Sequence, residues 1–119
     1  MTRRTSHLSE ELYAYLLGIS LRELPVMRRL REETASMEQA NMQIGPEQGQ
    51  FMALLVEFIG ARSVLEVGTF TGYSALAMAV ALAENACQPQ PTLRLAGGRG
   101  GHDIHLGIRL EGILTSRKD

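Results

Sequence analysis

The chain of 119 residues has one cysteine, Cys87, and one cysteine builds neither an internal disulfide nor a cysteine metal site. It also lacks a charge imbalance. Its 12 Lys and Arg stand against 13 Asp and Glu, and a net charge of −1 supplies no field for a nucleic-acid backbone, so no nucleic-acid partner is expected. The small basic cluster of Arg28, Arg29 and Arg31 is bracketed by Glu23, Glu32 and Glu33 and reads as the solvated face of a helix. No apolar run approaches the length of a membrane-spanning helix. Behind Met1-Thr2-Arg3-Arg4, the residues Ser9, Glu10 and Glu11 interrupt what would be the apolar core of a secretory signal. The expectation is therefore a cytoplasmic protein with no membrane partner. With 45% apolar and 21% charged residues the composition is that of an ordinary globular protein, long enough for one compact domain.

What the chain does have is concentrated in Leu65-Glu66-Val67-Gly68-Thr69-Phe70-Thr71-Gly72-Tyr73-Ser74. The apolar run around Val64, Leu65 and Val67 predicts a buried strand over 63–67. Gly68 and Gly72 let backbone approach a ligand closely, and a helix from about Gly72 to Ala83 points its free amide groups back at the turn. Ala75, Ala77, Ala79 and Ala81 let that helix pack closely on a sheet. Dinucleotide sites carry G-x-G-x-x-G at such a turn, whereas here the spacing is E-x-G-x-x-x-G, with the Glu66 carboxylate in front. A carboxylate suits a cationic cofactor better than a phosphate. The same strand, turn and helix occur in α/β domains with no ligand at the turn, so these residues alone leave a cofactor site and a plain packing turn as equal readings.

Upstream, Ser9 is a candidate cap for a helix carrying Leu12, Tyr13, Leu16 and Leu17, with Gly18 as its stop. A second helix is expected to start near Pro25 and to carry Val26, Met27, Leu30 and Met37 on its apolar side. Gly45-Pro46-Glu47 reads as the entry to a third, whose stripe of Phe51, Met52, Leu54, Leu55, Phe58 and Ile59 is expected to lie against the sheet and to end at Gly60. Two regions result. Residues 1–85 form the ordered portion. Residues 86–119, with Pro89, Pro91 and Gly97-Gly98-Arg99-Gly100-Gly101, read as a divergent glycine-rich tail, irregular loop or disordered. The alternative for that tail is a hairpin, with Thr92-Leu93-Arg94-Leu95 pairing with the alternating Ile104, Leu106, Ile108 and Leu110.

The string MQIGPEQGQFMALLVEFIGARSVLEVGTFTGYSALAMAVAL, with LRELPVMRRLREETA before it, resembles the S-adenosylmethionine-dependent O-methyltransferases of the caffeoyl-CoA and catechol type. The glycine motif and the GPEQGQF element stand at that family's spacing, and the likeness covers roughly the first two thirds of the chain. The resemblance implies an α/β fold, here the N-terminal portion of a class I, Rossmann-like methyltransferase. It implies S-adenosylmethionine as cofactor and Ile44, Glu66, Gly68, Thr69 and Ser74 as cofactor-binding residues. In this reading the Gly68 and Thr69 amides take the cofactor carboxylate, and Glu66 attracts the ammonium or sulfonium charge through water. Ile44 stands where some relatives place a threonine, so a hydroxyl contact is lost there. Met42 nearby reads as ordinary packing, Phe70 as core, and Tyr73 is left open between core and pocket.

The likeness ends near Glu84-Asn85. Family members are implied to hold a divalent metal, Mg, on aspartates and an asparagine, and to carry an acidic residue at the end of their second strand. Neither feature is recognisable in this chain. His102, Asp103 and His105 have metal-ligand chemistry, but the two histidines fall on opposite faces of a strand. Cys87 has no basic neighbour to activate it, and His7 reads as surface. No catalytic residue is assigned. The expected function is methyl transfer to a small-molecule hydroxyl, of catechol type or another, by in-line displacement, with little or no catalysis by this chain alone. One explanation would be an incomplete or frame-altered product. The alternative is a non-catalytic interaction protein whose helices before Gly45 form a homodimer or a mixed dimer with a full-length homologue. A module that only senses S-adenosylmethionine is a third reading.

Overall fold

The computed structural model describes residues 7–84, 92–96 and 104–106. Helix α1, Glu10–Ser20, starts at Ser9, whose hydroxyl accepts from the Leu12 N–H at 3.3 Å, while Glu10 and Glu11 face the positive end of the helix. It runs through Gly18, the expected stop, because one glycine costs a helix only about 1 kcal/mol. It closes instead where the Leu21 N–H reaches the Leu17 carbonyl. Helix α2, Pro25–Ala35, opens on Pro25 as expected, where the missing N–H has no partner to lose. Met37, expected on its apolar side, lies beyond the helix end and is exposed. After a single 3-10 turn, Ala40–Met42, helix α3, Pro46–Phe58, is closed by Gly60 N–H to Glu57 O and Ala61 N–H to Val56 O.

Strand β1, Ser63–Val67, leads through the glycine turn into helix α4, Tyr73–Glu84, and then to β2, Thr92–Ala96, and β3, Ile104–Leu106. The sheet order is β1-β2-β3. β2 runs parallel to β1 with Ser63 opposite Thr92 and Val67 opposite Ala96. β3 is antiparallel to β2, with Leu95 opposite Ile104. The strands at 92–96 and 104–106 correct the expectation of loop there and match the hairpin alternative. The physical reason is pairing: β1 needs a ladder partner, and Leu93, only 4% exposed, and Leu95 alternate so as to pack into the core of α4. Ile108 and Leu110 of the expected hairpin lie outside the described residues, as do Cys87 and the glycines at 97–101.

The core is built around α4. Ala75, Met78, Ala79, Ala81 and Leu82 meet Val56 of α3 and Leu93 of β2. Helix α3 lays its thin face, Gly49, Met52, Ala53 and Val56, against the alanine-rich helix. A Cβ at Gly49 would stand 2.9 Å from Cε1 of Tyr73, so this glycine lets the two helices approach. The expectation that the large apolar stripe of α3 covers the sheet is thereby corrected: Phe51, Leu54, Leu55, Phe58 and Ile59 are exposed, because small side chains fit α4 better. β1 is also less covered than a central parallel strand. Val64 packs on the core, while Leu65 is 63% and Val67 77% exposed, and β1 has one paired edge among the described residues. No helix among the described residues is long and apolar enough to cross a membrane.

A buried ion cluster ties α2 to α4. The Glu23 side chain, 1% exposed, accepts from Arg31 Nε and Nη2 at 2.9 Å each, and Tyr73 Oη donates to Glu23 Oε1 at 2.7 Å. Arg31, read from sequence as part of a solvated face, is therefore structural, whereas Arg29 stays exposed and pairs with Glu33 along its own helix. Burial by itself would raise the Glu23 carboxyl, but the hydrogen bonds from Arg31 and Tyr73 and the charges of Arg31 and Arg28 outweigh it and hold the group below its ordinary 4.5. Burial first, then the bond to Glu23, pushes the Tyr73 hydroxyl well above its ordinary 10.0. Glu23 thus stabilises the fold above pH 4.5 and loses that contribution in acid. Tyr73 costs stability above pH 10, where only the unfolded chain ionises. Urea unfolding of Glu23→Gln at neutral pH is expected to show a loss of about 3 kcal/mol, the low end for a broken buried pair, and a flatter dependence on pH in acid than the parent chain.

Candidate functional site

The glycine turn is short and tightly wound. Gly68, Phe70 and Gly72 have φ of 83, 51 and 95 degrees, three left-handed residues within five positions. For Phe70 that conformation costs about 1–2 kcal/mol, and strain of this kind gathers at ligand sites. Phe70 is 38% exposed and lines a cleft beside the turn, which corrects its reading as core; Tyr73, left open, is the buried one at 2% exposure. The turn is held from below. The fully buried Thr34 hydroxyl donates to Leu30 O at 2.8 Å and pairs with the Thr71 hydroxyl at 3.0 Å, fastening the end of α2 to the turn.

Above the turn is a cleft of about 200 Å³. Ile44, Glu66, Gly68, Thr69 and Ser74 all line it, the last four from one short stretch and Ile44 from the segment before α3. Ser74 Oγ donates to Glu66 Oε1, so the strand end and the helix start are tied across the turn. The second oxygen, Glu66 Oε2, is buried and has no hydrogen-bond partner among the described residues. The first amides of α4 have no helical acceptor and lie at the same end. Nothing stands within 4 Å of where a Cβ of Gly68 would be, so this part of the cleft is open to a ligand. Met42 is exposed on the cleft wall rather than packed, while Ile44 both lines the cleft and packs on Met27, Tyr73 and Ala77.

Gln43 lines the cleft too and was missed from the sequence. It is 5% exposed, and its Nε2 has no partner among the described residues. The available signal was a polar residue between two pocket positions, Met42 and Ile44. A larger cavity of about 620 Å³ lies between α1 and the α3–α4 pair, but it contains none of Glu66, Gly68, Thr69 and Ser74. The unpartnered buried groups belong to the smaller cleft. An unmade acceptor on Glu66 calls for a cation or donor, and an unmade donor on Gln43 calls for an acceptor. Among the described residues no group of three or more His, Cys, Asp or Glu is placed to hold a metal ion, so they do not fit the divalent metal implied for full-length relatives. His102 and Asp103 lie outside the described residues, as does the side chain of His105. β2 is built from Thr-Leu-Arg-Leu-Ala and carries no acidic residue.

Comparison with known proteins decides the family. The model of the O-methyltransferase family matches residues 18–87, well over half of the chain. The chain belongs to the O-methyltransferase family. It is 47% identical over 79 residues to a probable caffeoyl-CoA O-methyltransferase of Arabidopsis thaliana, covering 65% of this chain and 34% of that protein. It is 43% identical over 79 residues to caffeoyl-CoA O-methyltransferase 1 of Zea mays, covering 31% of it. With the catechol O-methyltransferase domain-containing protein 1 of Mus musculus it shares 48% over 73 residues, 61% of this chain and 28% of that protein. The chain thus spans about a third of the length of these curated relatives. Among solved structures it is similar in fold to the SAH-bound methyltransferase PaMTH1 of Podospora anserina, with a TM-score of 0.64 and 18% identity over 82% of this chain and 40% of that one. The Rossmann-like α/β fold class expected from the sequence is what that likeness shows. The family match ends at residue 87, beside the composition shift seen after residue 85.

In this O-methyltransferase family member the turn depends on Gly68. Gly68→Ala forces a Cβ into a left-handed position and is expected to lower the unfolding free energy by about 1 kcal/mol, read by urea denaturation. Because space is open at that Cβ, the fold itself is expected to survive, with the same far-ultraviolet circular dichroism.

Proposed function

We propose that the chain binds S-adenosylmethionine in the cleft at the glycine turn and serves methyl transfer to the hydroxyl of a small molecule, with a catechol-type acceptor as the first class to test. The observation that carries this reading is the buried, unpartnered Glu66 Oε2, held by Ser74 at the mouth of a glycine turn. S-adenosylmethionine supplies an electrophilic methyl group on a sulfonium, and its amino acid end carries an ammonium. Glu66 would meet that positive charge, Gly68 and Thr69 would offer backbone amides, Ser74 would orient the Glu66 carboxylate, and Ile44 would wall the pocket. The acceptor class is supported by the names of the caffeoyl-CoA and catechol-type relatives. Among the described residues no group of three or more His, Cys, Asp or Glu is placed to hold a metal ion, which favours a chain that binds cofactor with little or no turnover by itself.

Isothermal titration with S-adenosylmethionine tests it. The parent chain is expected to bind, and Glu66→Ala to bind at least about tenfold more weakly, as for the loss of a charged partner. Absence of heat from folded parent protein would leave the turn as scaffold and remove the reading.

A second reading, association with a full-length homologue or with itself, is favoured by one observation. Leu12, Tyr15 and Ile19, at helical spacing along α1, are all more than half exposed and form an uncovered apolar stripe on a helix before Gly45. Size-exclusion chromatography with mass detection is expected to show a dimer, or a mixed dimer with a full-length relative, and Ile19→Asp is expected to shift it to monomer. A monomer under every condition would dismiss association.

A further inference from the structure

Gln43 follows the 3-10 turn Ala40–Met42, and its backbone is fixed by its own N–H on the Ala40 carbonyl at 3.2 Å. Its side chain is buried, yet the amide nitrogen has no acceptor. A buried amide donor left unmade is costly, and natural proteins rarely keep one without a partner that arrives later. The acceptor left unmade in the same cleft is Glu66 Oε2. The two orphans do not satisfy each other. One unmade donor and one unmade carboxylate oxygen in a single cleft are the complement of an α-amino acid head, which presents a carboxylate and an ammonium. Ile44, the neighbouring position, has no polar side-chain atom and packs on Met27, Tyr73 and Ala77, so of these adjacent residues Gln43 alone brings a side-chain donor.

We propose that Gln43 is a cofactor-binding residue whose side-chain amide donates to the carboxylate of the amino acid end of S-adenosylmethionine, opposite Glu66 on the ammonium. This rests on the S-adenosylmethionine reading above and adds to it a side-chain contact that discriminates for the carboxylate. It separates the roles in the cleft: the Glu66 carboxylate answers positive charge, and the Gln43 amide answers the one negative group of the ligand.

The test compares the parent chain with Gln43→Leu and Gln43→Glu by isothermal titration, using S-adenosylmethionine and its decarboxylated analogue as probes, with thermal melting of each unliganded chain alongside. Expected is a loss of affinity for S-adenosylmethionine of about tenfold to a hundredfold in Gln43→Leu, and a larger loss in Gln43→Glu, which sets a carboxylate against a carboxylate. The decarboxylated analogue is expected to bind the parent and Gln43→Leu equally. The unliganded Gln43→Leu chain is expected to melt no lower than the parent, since an apolar group of similar size replaces an unsatisfied amide. That opposition of signs separates ligand contact from a structural role. Equal binding of S-adenosylmethionine by parent and Gln43→Leu would overturn the role of Gln43 and leave the cofactor reading standing. An equal loss for both probes, or a lowered melting temperature, would make Gln43 structural and overturn it as well. A parent chain that binds neither probe would overturn both.

Discussion

Tyr73 stands where α2, α3 and α4 meet, and its hydrogen bond to the buried Glu23 carboxylate sets where the glycine turn lies. Its ring fills the space left by Gly49, so α3 can rest on α4, and its hydroxyl reaches the segment before α2. Tyr73 is also the first residue of α4. The Glu23 cluster is thereby bonded directly to the helix end that faces the cleft. The Thr34–Thr71 pair braces the same turn from the other end of α2. The strand, turn and helix are thus not free-standing. Their geometry depends on a polar cluster supplied by residues more than 30 positions earlier in the chain.

Two carboxylates make the division of labour visible. Glu23 takes Arg31 and Tyr73 on one oxygen and Arg31 again on the other, with Arg28 at 3.6 Å, so its desolvation is offset by partners within the fold. Glu66 takes Ser74 on one oxygen and nothing on the other. A carboxylate satisfied on all sides is part of the structure. One left half-satisfied beside an open glycine turn is the observation on which the proposed ligand reading rests. Neither residue type nor burial separates the two; the count of hydrogen bonds does.

What could be read in the sequence was local. The start of α2 at Pro25, the cap at Ser9 and the passage from strand through Gly68 into α4 follow from rules that act within a few residues. The Glu66–Ser74 tie also lies inside the motif. The Glu23–Arg31–Tyr73 cluster was not legible, because Tyr73 is 50 positions from Glu23, and Arg31 looks the same in sequence as its exposed neighbours Arg28 and Arg29. The buried face of α3 was misjudged because hydrophobicity favours Phe51 and Leu54, whereas the fit to an alanine-rich helix favours Gly49 and Ala53. β2 was underestimated since a strand of five residues is defined by its partner, and the partner, β1, lies across an entire helix.

The open side of β1 bears on the cleft. Parallel strands are normally covered on both faces and paired on both edges, and ligands of such sheets bind beyond the carboxyl ends of the strands. β1 meets these conditions on the β2 side alone among the described residues. Val67, at its carboxyl end, is 77% exposed and also lines the cleft. A ligand in the cleft and a neighbour along the open edge would each bury part of the same side chain. Val67 is thus the residue shared by the open edge of β1 and the wall of the cleft.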